Sequence, residues 1–330
     1  MAILVLGGTA WLGRELVAAA LGRGEDVTVL ARGESGPVPS GVEAIRADRA
    51  DPAAYEPVVG RDWDAVLDVS RQPSQVASAL TALGERAATW VFVSSSSVYA
   101  RADQPGADES AERLPPHESD DDGWETYGGR KVACEDLVLA ALGDRALVAR
   151  SGLIAGPGDH TDRTGYWPLR FAHPATPDGV VLVPASAVST QVVDVRDLAT
   201  WLVDCAVGHR TGVANAAGPV LPLTEHLATA RTVAGHEGEL VSVEPGWLEE
   251  HDVQAWSGPR SLPLWLPEPT YAGFMARRSD TARSLGLRFR PLADTLTDTL
   301  DWELQSGPGR TRKAGLTPAD EASLIELARA

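Results

Sequence analysis

The sequence predicts an α/β fold built on a doubly wound parallel sheet, followed by a smaller, mixed C-terminal region that completes the sheet. Through residues 1–150, short apolar runs alternate with segments of helical periodicity, which is typical of strand–helix–strand units. Polar motifs follow the apolar runs, where the carboxyl ends of parallel strands would lie and where such sheets bind their ligands. We therefore expect a core at residues 1–150 and a substrate-binding lobe at residues 151–330.

Each predicted element of the first half follows from its local pattern. Residues 3–6 are apolar and lead into a glycine turn, and residues 89–93 are rich in β-forming side chains. Residues 101–125 are acidic and contain prolines, so we expect a long loop that is either simply solvated or covers a substrate. The other predicted strands are 26–30, 42–46, 63–69 and 145–150, and the predicted helices are 12–23, 74–86 and 127–142.

The pattern after residue 151 is less regular. Residues 156–159 have the glycine and proline content of a turn, and residues 307–313 are expected to be flexible. Residues 244–275 are rich in tryptophan and proline. Strands are predicted at 190–193 and 239–243, and helices at 195–207, 223–234, 291–303 and 318–329.

Composition and charge exclude several classes of protein. The 330 residues are 44% hydrophobic, which is typical of a globular chain, and carry a net charge of −17. That charge repels nucleic-acid phosphates and anionic lipids, so we expect a small-molecule substrate and neither nucleic acid nor membrane as a partner. Cys134 and Cys205 lack metal-ligand spacing, and the N-terminal apolar run is too short for a signal sequence or a membrane span. These features predict a cytoplasmic protein with reduced thiols.

A glycine-bearing turn, Gly7-Gly8-Thr9-Ala10-Trp11-Leu12-Gly13, follows the first predicted strand. Glycine lets the backbone turn tightly and approach a pyrophosphate, and the free N–H groups at the start of the next helix attract its negative charge. A tight strand–helix turn without a ligand is the alternative. The position after the first strand of an alternating pattern favours a dinucleotide site, and so a Rossmann core at residues 1–150.

The second motif pairs Tyr127 with Lys131, four residues apart and therefore on one face of a predicted helix. Lysine is rare here, because Lys131 and Lys313 are the only two among 29 basic residues. A lysine ammonium beside a phenol favours the phenolate, which makes a tyrosine a workable acid or base near neutral pH. Arginine does not titrate in this way. We therefore interpret the pair as catalytic rather than as a surface helix pair.

Four serines, residues 94–97, directly follow the strand predicted at 89–93. Hydroxyls at the carboxyl end of a strand can donate to a substrate oxygen, although a serine-rich turn without a role would have the same sequence. The sequence contains no motif for a metal site or for a hydrolase. The seven histidines form no ligand spacing, so no metal site is predicted, and no Gly-x-Ser-x-Gly element indicates a hydrolase.

In this order, the three motifs resemble those of the extended short-chain dehydrogenases/reductases, in the NAD-dependent epimerase/dehydratase family, over residues 1–220. The resemblance implies that Ser95 is the catalytic hydroxyl, that Tyr127 is the proton donor or acceptor and that Lys131 is its electrostatic partner. Ala10 stands where the family has its middle glycine. In this departure the chain resembles a divergent branch of the family, which includes bacterial isoflavone-reductase-like proteins and plant chloroplast RNA-binding relatives. Many family members pair through the tyrosine-bearing helix, which implies a homodimer.

The resemblance also implies a nicotinamide cofactor. NAD-preferring sheets carry an acid at the end of the second strand, whereas this chain has Arg32, which could meet the 2′-phosphate of NADP. We therefore favour NADP over NAD, the alternative being that Arg32 stacks on adenine or faces water. Asp48 is expected at the adenine amino group. The complete set of predicted cofactor contacts is Gly7, Thr9, Ala10, Trp11, Leu12, Gly13, Arg32, Asp48, Asp68, Val69, Ser70, Ser94, Lys131, Gly152, Leu153 and Ile154.

The resemblance leaves more than one reaction open. Dehydratases of the family carry an Asp-Glu pair just after the catalytic hydroxyl, and Ser96 and Ser97 stand there instead, so dehydration is not expected. Alcohol–carbonyl interconversion and sugar epimerisation by transient oxidation both remain, because they use the same three residues. A regulator that senses NAD(P) or binds RNA without turnover is a third reading, which the Tyr–Lys pair disfavours. The predicted substrate contacts are Ser96, Tyr166, Trp167 and Arg170.

Overall fold

A seven-stranded parallel sheet forms the centre of the molecule. The computed structural model describes residues 1–121 and 123–330, with Pro52 described by its backbone alone. The strands lie in the order β10-β6-β5-β4-β1-β2-β3. Their bounds are β1 Ala2–Leu6, β2 Asp26–Ala31, β3 Glu43–Arg46, β4 Trp63–Asp68, β5 Ala87–Ser95, β6 Ala146–Ser151 and β10 Gly212–Ala216. Strand β1 pairs with both β2 and β4, so the order reverses there and a crevice opens beyond the carboxyl ends of β1 and β4.

Helices cover both faces of this sheet because successive side chains along each strand point to opposite sides. Ile3 and Val5 pack on one face with helices α1, Trp11–Gly22, and α5, Val195–Val207. Leu4 and Leu6 pack on the other face with α2, Pro73–Leu83, and α3, Tyr127–Leu142. The predicted doubly wound α/β fold is confirmed.

The C-terminal region has its own apolar core, in which Trp167, Phe171, Leu227 and Trp265 are buried. Strand β10 crosses from this region to pair with β6 and so completes the large sheet. The remaining strands are β7 Leu153–Ala155, β8 Val181–Pro184, β9 Ser189–Asp194, β11 Val220–Pro222, β12 Leu240–Val243, β13 Gln254–Ala255 and β14 Ser261–Leu262. The remaining helices are α4 Tyr166–Ala172, α6 Leu223–Val233, α7 Pro245–Glu250, α8 Asp280–Ser284, α9 Leu292–Ser306 and α10 Pro318–Arg329.

The described residues include no helix with the length and apolar character needed to cross a membrane. Cys134 and Cys205 are both buried as free thiols. In the region where a long acidic loop is expected, at 101–125, Arg113 forms an antiparallel bridge with Tyr99. This bridge joins the middle of the loop to the residues just before it.

A buried ion-pair network fixes the middle of helix α3 to the sheet. Glu135 is fully buried and lies 2.9 Å from the guanidinium of Arg150, on β6, and 3.1 Å from that of Arg113. The carboxylate also accepts a hydrogen bond from the Ser94 hydroxyl at the end of β5. A buried carboxylate is tolerated because its charge is neutralised and its oxygens are hydrogen-bonded.

This network predicts that Glu135→Gln destabilises the protein strongly. Removing the charge leaves the Arg150 guanidinium, which is 4% exposed, without its counter-ion, and breaking a buried pair in this way costs about 3–5 kcal/mol. Urea unfolding measures the loss. The matched control is Asp136→Asn, because Asp136 also pairs with Arg113 but is half-exposed and should contribute less than about 1 kcal/mol. Equal losses in the two variants would contradict this account of the network.

Candidate active site

A cleft of about 520 Å³ lies beyond the carboxyl ends of β1, β4 and β5, between the sheet and the C-terminal region. This volume is within the range of small-molecule and cofactor sites. Its lining brings together the three sequence motifs with parts of the chain that are distant in sequence. The lining residues include Ala10, Trp11, Leu12, Gly13, Val69, Arg71, the serines 94–97, Trp124, Tyr127, Arg130, Lys131, Gly152, Leu153, Ile154, His160, Arg163, Trp256, Phe274 and Met275.

The glycine turn closes the end of the cleft at β1. Gly7 has a φ of +97°, a left-handed conformation that side chains disfavour. A Cβ on Gly13 would lie 2.2 Å from the carbonyl oxygen of Gly7, so only glycine allows helix α1 to start so close to the turn. The first N–H groups of α1 have no acceptor within the helix and can bind an anion. The Ala10 methyl group also faces the cleft.

Trp11 ties this turn to the C-terminal region. Its indole Nε1 donates to the Pro157 carbonyl oxygen at 2.7 Å, and its ring meets the His160 ring edge-on at 5.8 Å. Gly158 leaves room for the indole, because a Cβ there would lie 2.9 Å from it. The side chain of Trp11 thus holds the 156–160 turn over the cleft, while its backbone lies at the start of α1.

Lys131 joins helix α3 to two strand ends. Its ammonium donates to the carbonyl oxygens of Ser70 and Val93, at 2.5 and 2.7 Å, and its side chain is 3% exposed. It also lies 4.8 Å from the centre of the Phe92 ring. An ammonium has three N–H donors, so one remains for a ligand in the cleft. The lysine is thus an anchor within the fold as well as a lining residue of the site.

The segment after β4 is held by a buried arginine that the sequence analysis did not single out. The Asp68 carboxylate lies 3.0 Å from the guanidinium of Arg49 and accepts hydrogen bonds from the N–H and hydroxyl of Ser70. Although burial acts against it, the charge of Asp68 raises the pKa of Arg49. The side chains of Asp68 and Ser70, both predicted cofactor contacts, are thus paired with each other and with Arg49. Val69, between them, does line the cleft.

Ser95 and Tyr127 face the same cleft as Lys131. Tyr127 is half-buried at the first position of α3, and its ring is parallel to that of Trp124 with centroids 6.5 Å apart. The Ser95 hydroxyl accepts from the Ser97 N–H at 3.1 Å. Gly128 brings the helix up to these serines, because a Cβ there would lie 2.3 Å from the Ser97 carbonyl oxygen.

The other predicted contacts differ in their exposure to the cleft. Ser96 and Ser94 both line it, but the Ser94 hydroxyl donates to Glu135 and so is engaged in the buried network. Gly152, Leu153 and Ile154 form part of its wall. Gly7 and Thr9 lie behind the turn and do not line the cavity; Thr9 is 3% exposed.

Arg130 was missed by the sequence analysis, which considered only its neighbours in the motif. Its side chain is 2% exposed, and its Nη2 donates to the Gly123 carbonyl oxygen at 3.1 Å. Within the described part of the chain, its Nε and Nη1 have no hydrogen-bond partner. A buried guanidinium with unused donors fits an anionic ligand such as a dinucleotide phosphate. Arg130 and the close approach of α1 to the turn at Gly13 together make the cleft suited to a dinucleotide cofactor.

Arg32 and Asp48 lie at the ends of β2 and β3, outside the cavity itself. The Arg32 guanidinium is half-exposed and lies 3.3 Å from Glu34 and 3.9 Å from Asp48. Arg46 donates from Nε to the Arg32 carbonyl oxygen at 2.9 Å. Two guanidinium groups therefore stand at the rim beside the second strand.

Tyr166, Trp167 and Arg170, the other predicted substrate contacts, are buried and do not line the cleft. All three lie on α4, which is buried among the elements of the C-terminal core. Trp167 donates from Nε1 to the Pro263 carbonyl oxygen, and Arg170 pairs with the buried Glu321 at 2.7 Å. Although they follow the 156–159 turn closely in sequence, the helix that begins after Gly165 packs into the C-terminal core.

The C-terminal region contributes His160, Arg163, Trp256, Phe274 and Met275 to the wall of the cleft. Burial lowers the pKa of His160, and the positive charges of Lys313 and Arg163 act in the same direction. Burial also lowers the pKa of Arg163. No group of histidine, cysteine and acidic side chains among the described residues could hold a metal ion.

Sequence comparisons identify the family. The model of the NAD dependent epimerase/dehydratase family matches residues 3–215, and the chain belongs to this family. A 2′-dehydrokanamycin reductase from Streptomyces kanamyceticus is 28% identical over 260 residues, which cover 75% of this chain and 71% of that protein.

Solved structures share the fold. UDP-N-acetylglucosamine 4-epimerase from Bacillus cereus is 18% identical with a TM-score of 0.64, and the match covers 93% of this chain and 97% of that one. UDP-glucose 4-epimerase from Bifidobacterium longum, solved with NAD⁺ and UDP, is 16% identical with a TM-score of 0.65, over 94% and 100% of the two chains. The protein is thus an enzyme of the extended short-chain dehydrogenase/reductase type that uses a nicotinamide cofactor.

Because Gly13 allows α1 to start against the backbone of Gly7, we expect Gly13→Ala to weaken cofactor binding. Because the new Cβ would meet backbone at 2.2 Å, the turn must shift, and a cost of about 1.4 kcal/mol in the bound state raises the Kd tenfold. Titration with NADPH and with NADH, followed by tryptophan fluorescence, measures it. Gly22→Ala, at the other end of α1, is the control because a Cβ there meets nothing within 4 Å. Unchanged affinity in a folded Gly13→Ala variant would contradict the proposed role of the turn.

Proposed function

We propose that the protein interconverts an alcohol and a carbonyl by NAD(P)-dependent hydride transfer through Ser95, Tyr127 and Lys131. One observation carries the proposal: these three side chains, from the end of β5 and the start of α3, line a single cleft with the glycine turn. Neither a surface helix pair nor a solvated serine turn requires this convergence.

Each residue has a role that follows from its chemistry. When bound, the nicotinamide ring accepts or supplies the hydride. The Tyr127 hydroxyl gives a proton to the carbonyl oxygen during reduction, or takes it from the alcohol during oxidation. The Ser95 hydroxyl donates a hydrogen bond to the same oxygen. The positive charge of Lys131, held by the Ser70 and Val93 carbonyl oxygens, stabilises the phenolate left when the proton is transferred.

Reduction of a carbonyl is favoured over the other reactions of the family. The reductase from Streptomyces kanamyceticus, a relative that aligns with three quarters of the chain, supports it. Ser96 and Ser97 provide no carboxylate for an elimination. Sugar epimerisation uses the same three residues and is the second candidate, supported by the family itself. The two differ in whether the cofactor is consumed: reduction passes its hydride to the product, whereas epimerisation returns to the substrate the hydride that was taken from it.

The proposed role of Tyr127 predicts that Tyr127→Phe abolishes turnover and spares cofactor binding. Loss of a positioned general acid lowers kcat by about 10²–10⁴-fold. The measurement is deuterium transfer from [4-²H]NADPH to a panel of ketones, with cofactor affinity determined separately. Deuterium in the product alcohol indicates net reduction. Epimerisation is tested separately with oxidised cofactor and sugar substrates, where isomerisation without net formation of reduced cofactor indicates it.

Tyr271→Phe is the matched control for this experiment, because it removes the same hydroxyl from a ring that is 41% exposed. Its kcat should stay close to that of the unaltered enzyme. Wild-type kcat in Tyr127→Phe would sink the proposed mechanism. Cofactor binding without turnover of any substrate by the unaltered protein would instead favour a regulator that senses NAD(P).

We further propose NADP rather than NAD as the preferred cofactor. The support comes from Arg32 and Arg46 at the ends of β2 and β3, whose guanidinium groups can bind a 2′-phosphate. Glu34 and Asp48 lie near Arg32 and hold it at the rim.

This proposal predicts that Arg32→Ala raises the Kd for NADPH about tenfold, since a charged hydrogen bond is worth about 1.5–3 kcal/mol. The Kd for NADH should change less than about threefold, because NADH has no 2′-phosphate to lose. NADH is therefore the internal control. Equal effects on both cofactors, or tighter binding of NADH than NADPH by the unaltered enzyme, would contradict the preference.

A further inference from the structure

The wall of the cleft formed by the C-terminal region contains the guanidinium of Arg163, which has no role in the proposed hydride transfer. Arg163 lies in the loop before α4 and lines the cavity together with Tyr127, Trp256 and Phe274. Among the described residues, no carboxylate oxygen lies within 4 Å of its guanidinium, and its one hydrogen bond is from Nε to the Thr161 hydroxyl, at 3.1 Å. Its two terminal nitrogens are thus free to meet a ligand.

The loop holds this guanidinium in a defined position. Its centre lies 4.7 Å from the centroid of the Trp256 ring, a cation–π distance, and Thr161 fixes its Nε. Trp256 has a φ of +70° and packs edge-on against Phe274, at 5.4 Å. An arginine that is stacked and hydrogen-bonded on one side loses little further freedom when its terminal nitrogens bind a ligand.

The acid whose charge acts on Arg163 is already engaged in other hydrogen bonds. The Asp159 carboxylate accepts hydrogen bonds from the N–H and hydroxyl groups of both Thr161 and Thr164, which builds the loop. Burial lowers the pKa of Arg163, and the charges of Asp159 and Tyr127 only partly offset it. The guanidinium is therefore partly desolvated while lacking an ion pair.

A solvated surface arginine without a role does not account for these features. The chain has 46 acidic residues for 29 basic ones, and exposed arginines such as Arg86 and Arg278 have carboxylate partners. A partly buried arginine without a partner, placed beside the reactive phenol, is electrostatically costly unless a ligand supplies the missing negative charge.

We propose that Arg163 binds an oxyanion group of the substrate, a carboxylate or a phosphate, while the carbonyl to be reduced lies at Tyr127. This inference rests on the proposed function and names the class of substrate that the site takes. The two terminal nitrogens of the guanidinium match the two oxygens of such a group in a bidentate arrangement. Trp256, Phe274 and Met275 then cover the apolar part of the substrate between the two ends.

Matched pairs of ketones test this assignment. Benzoylformate is compared with its methyl ester, and dihydroxyacetone phosphate with dihydroxyacetone. The members of the first pair differ in a carboxylate, and those of the second pair in a phosphate. The enzyme variants are Arg163→Gln, which removes the charge, and Arg163→Lys, which keeps the charge but cannot bind two oxygens in the bidentate way of a guanidinium. Arg86→Gln is the control, because it makes the same change in an exposed arginine before β5, away from the cleft.

We expect the unaltered enzyme to prefer the anionic member of at least one pair by about 10- to 100-fold in kcat/KM, the effect of one charged hydrogen-bonded contact. Arg163→Gln should remove that preference and leave the neutral member within about threefold, mostly through KM. Arg163→Lys should retain part of the preference, and Arg86→Gln all of it. The pair that shows the preference identifies carboxylate or phosphate as the group recognised.

Equal kcat/KM values for charged and neutral members in the unaltered enzyme would overturn the proposal. So would an equal loss on both members in Arg163→Gln, which would mean that Arg163 supports the fold or Tyr127 instead. If no ketone is reduced, binding of the two anions is measured by tryptophan fluorescence with NADPH present. Binding that Arg163→Gln abolishes would support the anion site while contradicting the reductive chemistry, and no binding of either anion would overturn the site itself.

Discussion

The contact of the Lys131 ammonium with the carbonyl oxygens of Ser70 and Val93 is the interaction on which the site depends. A buried ammonium is tolerated only where oxygen atoms replace its water, and the ends of two neighbouring parallel strands supply them. The same contact fixes helix α3 against β4 and β5. Since Tyr127 begins that helix, the position of the phenol is set by the lysine and the strand ends together.

A second layer of ion pairs keeps these strand ends in place. Asp68 and Arg49 hold the segment that contains the Ser70 carbonyl, and Glu135 with Arg150 holds α3 to the end of β6. These pairs lie under the cleft rather than in it. Their charges are neutralised internally, so the free donors in the cleft are left to act on ligands.

Charge is divided unevenly between the surface and the cleft. The chain as a whole carries −17, yet the described residues that line the cleft include Arg71, Arg130, Lys131 and Arg163 and no carboxylate. At physiological salt the surface charge is screened beyond about 8 Å, whereas the buried or partly buried Arg130, Lys131 and Arg163 act at contact distance. An acidic protein can therefore hold an anionic dinucleotide and, as we propose for Arg163, an anionic substrate group.

The sequence by itself determined the alternation of strands and helices, the glycine turn and the four-residue spacing of Tyr127 and Lys131, because each depends on local backbone preferences and periodicity. Only the tertiary structure decided which polar side chains are free. Asp68 and Ser70 are paired with Arg49, Arg170 is buried with Glu321, and Arg130 and Arg163 are left with unused donors. Those outcomes depend on partners far away in the chain, and local patterns carry no record of them. For the same reason the pairing of β10 with β6, across more than 60 residues, emerged only from the packed fold.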